Sequence, residues 1–465
     1  MNMDQNKEIL NRAVMPVPRG EIDFNLPLIS KFTMDNGMRV IFVKKNKLPI
    51  VQMTLVTEAG SKFDPEKKKG LTQLLAAVMD EGAGQYDSLR LSEELEFLGS
   101  SLSVSSDADC MFLSLMTLKE NLEKSFSIMA SVIKEPHLKD EDFQREKNKL
   151  LTRIIQLKDD PSYTATIAFN RIVYGEHNPY SLPDTGTAET VAAIGIEDLR
   201  LYYASQFSPL NSTMVVVGDT DEGELHDLFG KYLQGWHQGK PLEIVIEERV
   251  PAERRIYIIN KDDAVQSELR IGHPSSGRHA ADYFPRMAMN MILGGQFSSR
   301  INLNLRENKG FTYGAHSAYY YDKQGAYFCV SAAVKSENSG DSVTEILKEL
   351  DAIRDNIFEK ELRFAKSSLI RKFPSQFETY GQIAGNLAAL VIHDMDESYF
   401  NGYVSNVKKI TMEETLEAAR RNILPDRLVI LAVGDMNVLL PQLEALQIPR
   451  ITELDNEGNV LREIE

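Results

Sequence analysis

The chain has 465 residues, 43% of them hydrophobic and 26% charged, with a formal net charge of −16 at pH 7. That length predicts roughly two to four domains, each able to bury its own core. The acidic surplus excludes a nucleic-acid backbone as the main partner, and no apolar run is long enough to span a membrane. Two cysteines, Cys110 and Cys329, stand in apolar, β-like settings in different halves. They leave open a single disulfide or, the preferred reading, two buried free thiols.

In chain order, residues 1–30 read as a loose N-terminal arm with prolines 16, 18 and 27. Charges at Asp4, Lys7, Glu8 and Arg12 leave no apolar signal-peptide core there. The expected compartment is the cytoplasm, or the periplasm if a leader has been removed. Two β-prone runs, 31–34 and 38–43, flank Asp35-Asn36-Gly37, a hairpin signal. A strand over 51–56 leads to a helix over about 69–80 and a glycine-rich turn at 82–84. A second helix starts at Ser88 and closes at Gly99. Alternation over 100–106 and 110–117 predicts an antiparallel pair, followed by helices over 122–133, 140–157 and about 162–173. After a loop with Gly175, Pro179, Pro183 and Gly186, a helix over about 196–206 feeds a buried strand, 212–217.

That last unit recurs. Residues 196–219 lie over 412–435 at a constant offset of 216, pairing Glu197 with Glu413, Pro209 with Pro425, and Gly218-Asp219 with Gly434-Asp435. The match predicts an internal duplication. The expected division is an arm, 1–30; a first domain, 31–235; a linker, 236–251; a second domain, 252–440; and a polar tail, 441–465. Each copy mixes antiparallel hairpins with helices, so the class is α+β, not alternating βαβ.

The densest chemistry lies in 293–320, LGGQFSSRINLNLRENKGFTYGAHSAYY. Gly294 and Gly295 end one helix, and Ser298 or Ser299 is placed to cap the next, which carries Arg306. Gly310 stops that helix, and Phe311-Thr312-Tyr313 starts a β-prone run. A guanidinium fork at Arg306 and a phenol at Tyr313 can hold a peptide carbonyl or stabilise negative charge developing on it. The other reading pairs Arg306 with a carboxylate and packs Tyr313 in a core.

Leu305-Arg306-Glu307, with Tyr313 seven positions after Arg306, resembles the Arg/Tyr segment of the M16 (pitrilysin-like, inverted zincin) peptidases; Gly294-Gly295 and Ser299-Arg300 match as well. The resemblance covers about 31–440 and implies two similar α+β halves, the M16/LuxS-like metallohydrolase fold, facing each other across a chamber. It also implies a zinc helix, His-x-x-Glu-His, whose i, i+4 spacing sets two imidazoles on one face. A later helix would add a ligand Glu. Here the segment reads Gly70-Leu71-Thr72-Gln73-Leu74-Leu75-Ala76-Ala77. The two histidine positions are Gln73 and Ala77, the base position is Ala76, and the third-ligand position is Arg153. Glu146 matches a supporting carboxylate. The frame is kept and its chemistry is gone, so no cofactor is expected in this chain.

No histidines stand three or four residues apart, and His393, Asp396 and Glu397, though at i, i+3, i+4 spacing, fall in an expected helix–helix connection. The resemblance implies a non-catalytic subunit of a heterodimeric zinc peptidase. Arg306 and Tyr313 would bind peptide and assist in trans, and zinc and base would belong to a partner with an intact His-x-x-Glu-His motif. The alternative is a catalytically inert structural or peptide-binding protein.

Overall fold

The computed structural model describes residues 24, 26–236, 239–246 and 253–464. Most of the expected N-terminal arm, and 237–238 and 247–251 of the expected linker, lie outside the described residues.

Strands β1 (Ile29–Thr33), β2 (Arg39–Lys44) and β3 (Ile50–Thr57) open the first half. A two-residue ribbon follows, β4 (Gly82–Ala83) with β5 (Tyr86–Asp87), then β6 (Ser101–Ser106), β7 (Met111–Leu118) and β8 (Ser212–Gly218). The first sheet runs β1-β2-β8-β3-β7-β6. The second half supplies β9 (Arg255–Asn260), β10 (Gln266–Pro274), β11 (Thr312–Asp322), β12 (Gly325–Lys335), β13 (Val429–Gly434), β14 (Ile451–Leu454) and β15 (Val460–Ile464). These run β11-β12-β10-β13-β9-β14-β15. Strands β2-β8-β3-β7-β6 correspond one for one to β9-β13-β10-β12-β11. In both runs the first pair is parallel and the rest are antiparallel. The fold is the expected α+β duplication, with a parallel pair that the hairpin signals did not announce.

The repeated Gly-Asp has a packing cause. Gly218 ends β8 where a Cβ would sit 2.7 Å from the Val51 Cα, and Gly434 ends β13 where a Cβ would sit 2.6 Å from the Ser267 Oγ. Val51 and Ser267 are the second residues of β3 and β10, so one close backbone approach recurs in both copies. Segment 441–465, read as a polar tail, instead contains β14 and β15, which extend the second sheet beside β9. Ile451 and Leu454 bury there, a pattern too short to register as a strand against the charged residues around it.

The halves complete each other's cores. Helix Pro161–Tyr174, from the first half, packs on β10 and β13, and helix Tyr380–Ile392, from the second, packs on β3 and β8. Strand β8 shows the consequence. Met214 and Val216 join the first core, whereas Val215 and Val217, on the opposite face, join the core that includes Ile383 and Leu387. Burial on both faces explains the unbroken apolar run of β8, where a half-exposed strand would alternate. Edge strand β6 does alternate, with Ser101, Ser103 and Ser105 outward.

A buried polar seam also joins the halves. The β11–β12 turn brings Asp322 and Lys323 against the first half: Lys323 Nζ lies 2.8 Å from Glu58 and its backbone N–H donates to Asp109 at 2.8 Å, while within its own half Nζ lies 3.1 Å from Asp394. Tyr180 donates to Asp109 at 2.7 Å, Lys62 pairs with Asp109 at 2.9 Å, and Tyr174 donates to Asp322. Cys110 and Cys329 are buried free thiols, as preferred. Among the described residues no helix is long and apolar enough to cross a membrane.

Candidate functional site

Helix Leu71–Met79 carries Gln73, Ala76 and Ala77, three of the four positions expected to be degenerate metal positions. Its start is built by Gly70, at φ +99°, where a Cβ would meet the Thr185 carbonyl oxygen at 2.7 Å. Asp64 then accepts from the backbone N–H groups of Gly70 at 3.0 Å and Thr72 at 3.1 Å, satisfying helix-start donors. Burial is the main cause that pushes the Asp64 carboxyl up to about 7, against the opposing pull of Lys69 and these hydrogen bonds. Gln73 and Ala77 are half-buried one turn apart, and Ala76 is buried between them. Helix Asp140–Lys158 packs alongside and leaves Arg153 exposed.

The acids nearby are engaged. Arg145 binds Glu81 and Asp142, each at 2.7 Å, and Glu146 at 3.2 Å, while Lys149 holds Glu146 at 2.7 Å. Burial raises Asp80 to about 6, helped by Glu81 and Glu146. An amide, two methyl groups and a guanidinium do not make a zinc site. Among the described residues no three His, Cys, Asp or Glu side chains are grouped to hold a metal ion. His393 closes helix Tyr380–Ile392, and Asp396 and Glu397 in the turn beyond it both pair with Lys31.

Arg306 and Tyr313 lie on two adjoining backbone irregularities. Helix Tyr283–Leu293 ends at Gly294, where a Cβ would fall 2.5 Å from the Ser317 backbone nitrogen, so only glycine lets the turn press on β11. Ser299 stands at the next helix start, but its hydroxyl makes no capping bond, contrary to the expectation of a serine cap. After one α-turn, Arg300–Asn302, the chain widens into a π-turn, Leu303–Asn308, and Gly310 at φ +68° ends it. Such turns aim one side chain away from the α-helical rows. The Arg306 guanidinium lies over the Phe297 ring, 4.5 Å from its centroid, and its Nε is 3.4 Å from the neighbouring Glu307.

Strand β11 carries a bulge. Thr312 faces Val334 and Ala315 faces Ala332, so Tyr313 and Gly314 together oppose Ala333. The Thr312 hydroxyl fixes the bulge by donating to the Ala333 carbonyl at 2.6 Å and accepting from the Gly314 N–H at 3.1 Å. Tyr313 is thereby turned outward, 89% exposed. The reading of Tyr313 as a core ring is thus set aside. The π-turn packs against β11. Phe297, under Arg306, and the asparagines that hold this segment went unread, because no spacing rule marks a stacking or backbone-bonding partner.

Two family models match the chain, one described as insulinase (peptidase family M16) over residues 39–182, the other as the peptidase M16 inactive domain over residues 193–369. The chain belongs to the M16 peptidase family. Among M16 relatives, it is 24% identical over 345 residues to the Helicobacter pylori non-peptidase homolog YmxG, covering 73% of this chain and 78% of the relative. It is 21% identical over 348 residues to the uncharacterized zinc protease YmxG of Bacillus subtilis, covering 74% and 83%. Its fold matches the crystal structure of an M16 inactive domain protein from Pseudomonas fluorescens with a TM-score of 0.82 and 23% identity, covering 88% of this chain and 98% of that one. Gln73, Ala76, Ala77 and Arg153 are the residues expected at the family's metal and base positions.

Proposed function

We propose that this chain is a non-catalytic M16 subunit that binds peptide and assists its hydrolysis in trans. Zinc and general base are contributed by a partner with an intact His-x-x-Glu-His motif. The observation that carries the reading is the outward presentation of Tyr313. A scaffold gains nothing from an 89% exposed phenol held out by a hydroxyl-pinned bulge. Arg306 is placed in the same sense: its face rests on Phe297 and, among the described residues, its only carboxylate partner is the adjacent Glu307, so donors remain for a peptide backbone. On this reading Arg306 grips the substrate carbonyl region, and Tyr313 donates to the oxygen that gains negative charge.

The test is reconstitution. The chain alone, assayed with quenched fluorescein-casein, is expected to show no cleavage and to hold no stoichiometric zinc. Mixed with a zinc-bearing M16 subunit, it is expected to raise cleavage well above that subunit's own rate. Equal rates with and without this chain, in a mixture shown to be associated, would favour the inert structural or peptide-binding alternative.

A further inference from the structure

Arg306 and Tyr313 sit on separate irregularities, a π-turn and a β-bulge, and one buried side chain joins the two. Asn302, 4% exposed, precedes the π-turn. Its Nδ2 donates to the Phe297 carbonyl at 2.6 Å, and its Oδ1 accepts from the Ala315 N–H at 3.0 Å. Phe297 is the ring beneath the Arg306 guanidinium. Ala315 is the first residue back in register after the bulge that turns Tyr313 outward. We propose that Asn302 is the positioning residue of this site, fixing the support of Arg306 and the bulge of Tyr313 in one geometry. The inference rests on reading Arg306 and Tyr313 as a peptide-handling pair.

The chemistry of the position supports this. One neighbour is a backbone acceptor and the other a backbone donor, so the side chain must offer a donor and an acceptor together, and a primary amide does so. Leucine would suit the helix better and fill similar space, yet would leave both backbone groups unpaired. Aspartate would keep the bond from Ala315 and lose the one to Phe297. Asn304, two residues on, is a natural comparison. Its Nδ2 reaches away from Phe297 and the bulge, to Glu345 at 3.1 Å and Glu349 at 2.8 Å on helix Ser339–Asp355.

Hydrogen–deuterium exchange on the full chain tests the proposal first. Asn302→Leu is expected to speed exchange about tenfold or more in both 294–299 and 312–317. Asn302→Asp should loosen chiefly the first segment, and Asn304→Leu neither. In the partnered assembly, with quenched fluorescein-casein as substrate, Asn302→Leu should lower kcat through Tyr313 and raise KM through Arg306. Added to a chain that already carries both Arg306→Ala and Tyr313→Phe, it should cost little more, since residues that act through one another are not additive. Exchange that rises evenly along the chain, or in only one of the two segments for Asn302→Leu, or full additivity with the Arg306→Ala/Tyr313→Phe pair, would overturn the proposal. Full activity of both Arg306→Ala and Tyr313→Phe would instead remove the reading beneath it. The exchange pattern would still decide whether Asn302 joins the two irregularities.

Discussion

Tyr313 exposes its hydroxyl on a ring held out by a bulge, so removing one oxygen isolates its chemistry from its packing. In an active assembly Tyr313→Phe is expected to lower kcat by about 10²–10³, the usual cost of losing one donor to a developing oxyanion, and to leave KM and melting temperature nearly unchanged. A normal kcat in a well-associated pair would deny the hydroxyl a catalytic role. Arg306 and Tyr313 are candidates through their resemblance to the M16 Arg/Tyr segment, since spacing alone leaves ion pairing and core packing open to them as well. Their exposure was not legible in the sequence, because a bulge and a π-turn are departures from the periodicity on which sequence reading relies.

At the scale of the element, the site depends on β11 accepting a helix end at close range. Gly294 makes that approach, and a methyl group there would sit 2.4 Å from the Ser317 Oγ. Around it, Asn290 and Ser317 exchange two hydrogen bonds, Asn290 Nδ2 to the Ser317 carbonyl at 3.0 Å and the Ser317 hydroxyl to Asn290 Oδ1 at 2.7 Å. Gly294→Ala is therefore expected to destabilise the chain by about 1–3 kcal/mol, the range for overpacking a tight contact. Denaturant unfolding should show a lower midpoint at constant m-value. A neutral result would mean that the turn moves away freely. The same clash should disturb Arg306 and Tyr313, so activity in the assembly should fall more than the folded fraction does.

For the whole molecule, the exchange of helices makes each half depend on the other. A fragment ending at residue 235 would lack helix Tyr380–Ile392 and leave Val43, Val56, Val215 and Val217 uncovered. It is expected to aggregate or remain partly unfolded by size-exclusion chromatography, and to recover when the remaining residues are supplied as a second chain. A monomeric, cooperatively melting fragment would show that the halves are independent. The polar seam gives a pH signature. Burial, with Asp109, Asp184 and Asp107 adding, pushes Asp322 from an ordinary 3.8 up to about 7, despite the hydrogen bond from Tyr174. A carboxyl with a raised native pKa favours the folded state fully below its unfolded value, and that contribution is lost as pH rises to about 7. Stability should decline between about pH 4 and pH 7, with an upper bound of about 4 kcal/mol from this group. Asp322→Asn removes the charge and keeps an acceptor for Tyr174. It should raise the melting temperature at pH 8 and change it little at pH 4; equal effects at both would refute the role of titration.

The repeat at an offset of 216 and the hairpin signals are written in the sequence itself. The turn at Gly37 and the apolar spacing of Leu71, Leu74 and Leu75 rest on residues close in the chain, whereas Gly218 and Gly434 answer to close approaches from Val51 and Ser267 on distant strands. What the tertiary structure decided lies between distant segments. Strand β8 could be read as buried, but not that its two faces serve different cores, since a helix some 160 residues away covers one of them. The tail at 451–464 became two strands only because β9 offered an open edge. Asn302 acquired its place between Phe297 and Ala315 from the fold alone, for a side-chain amide bonded to two backbone groups leaves no periodic trace in the sequence.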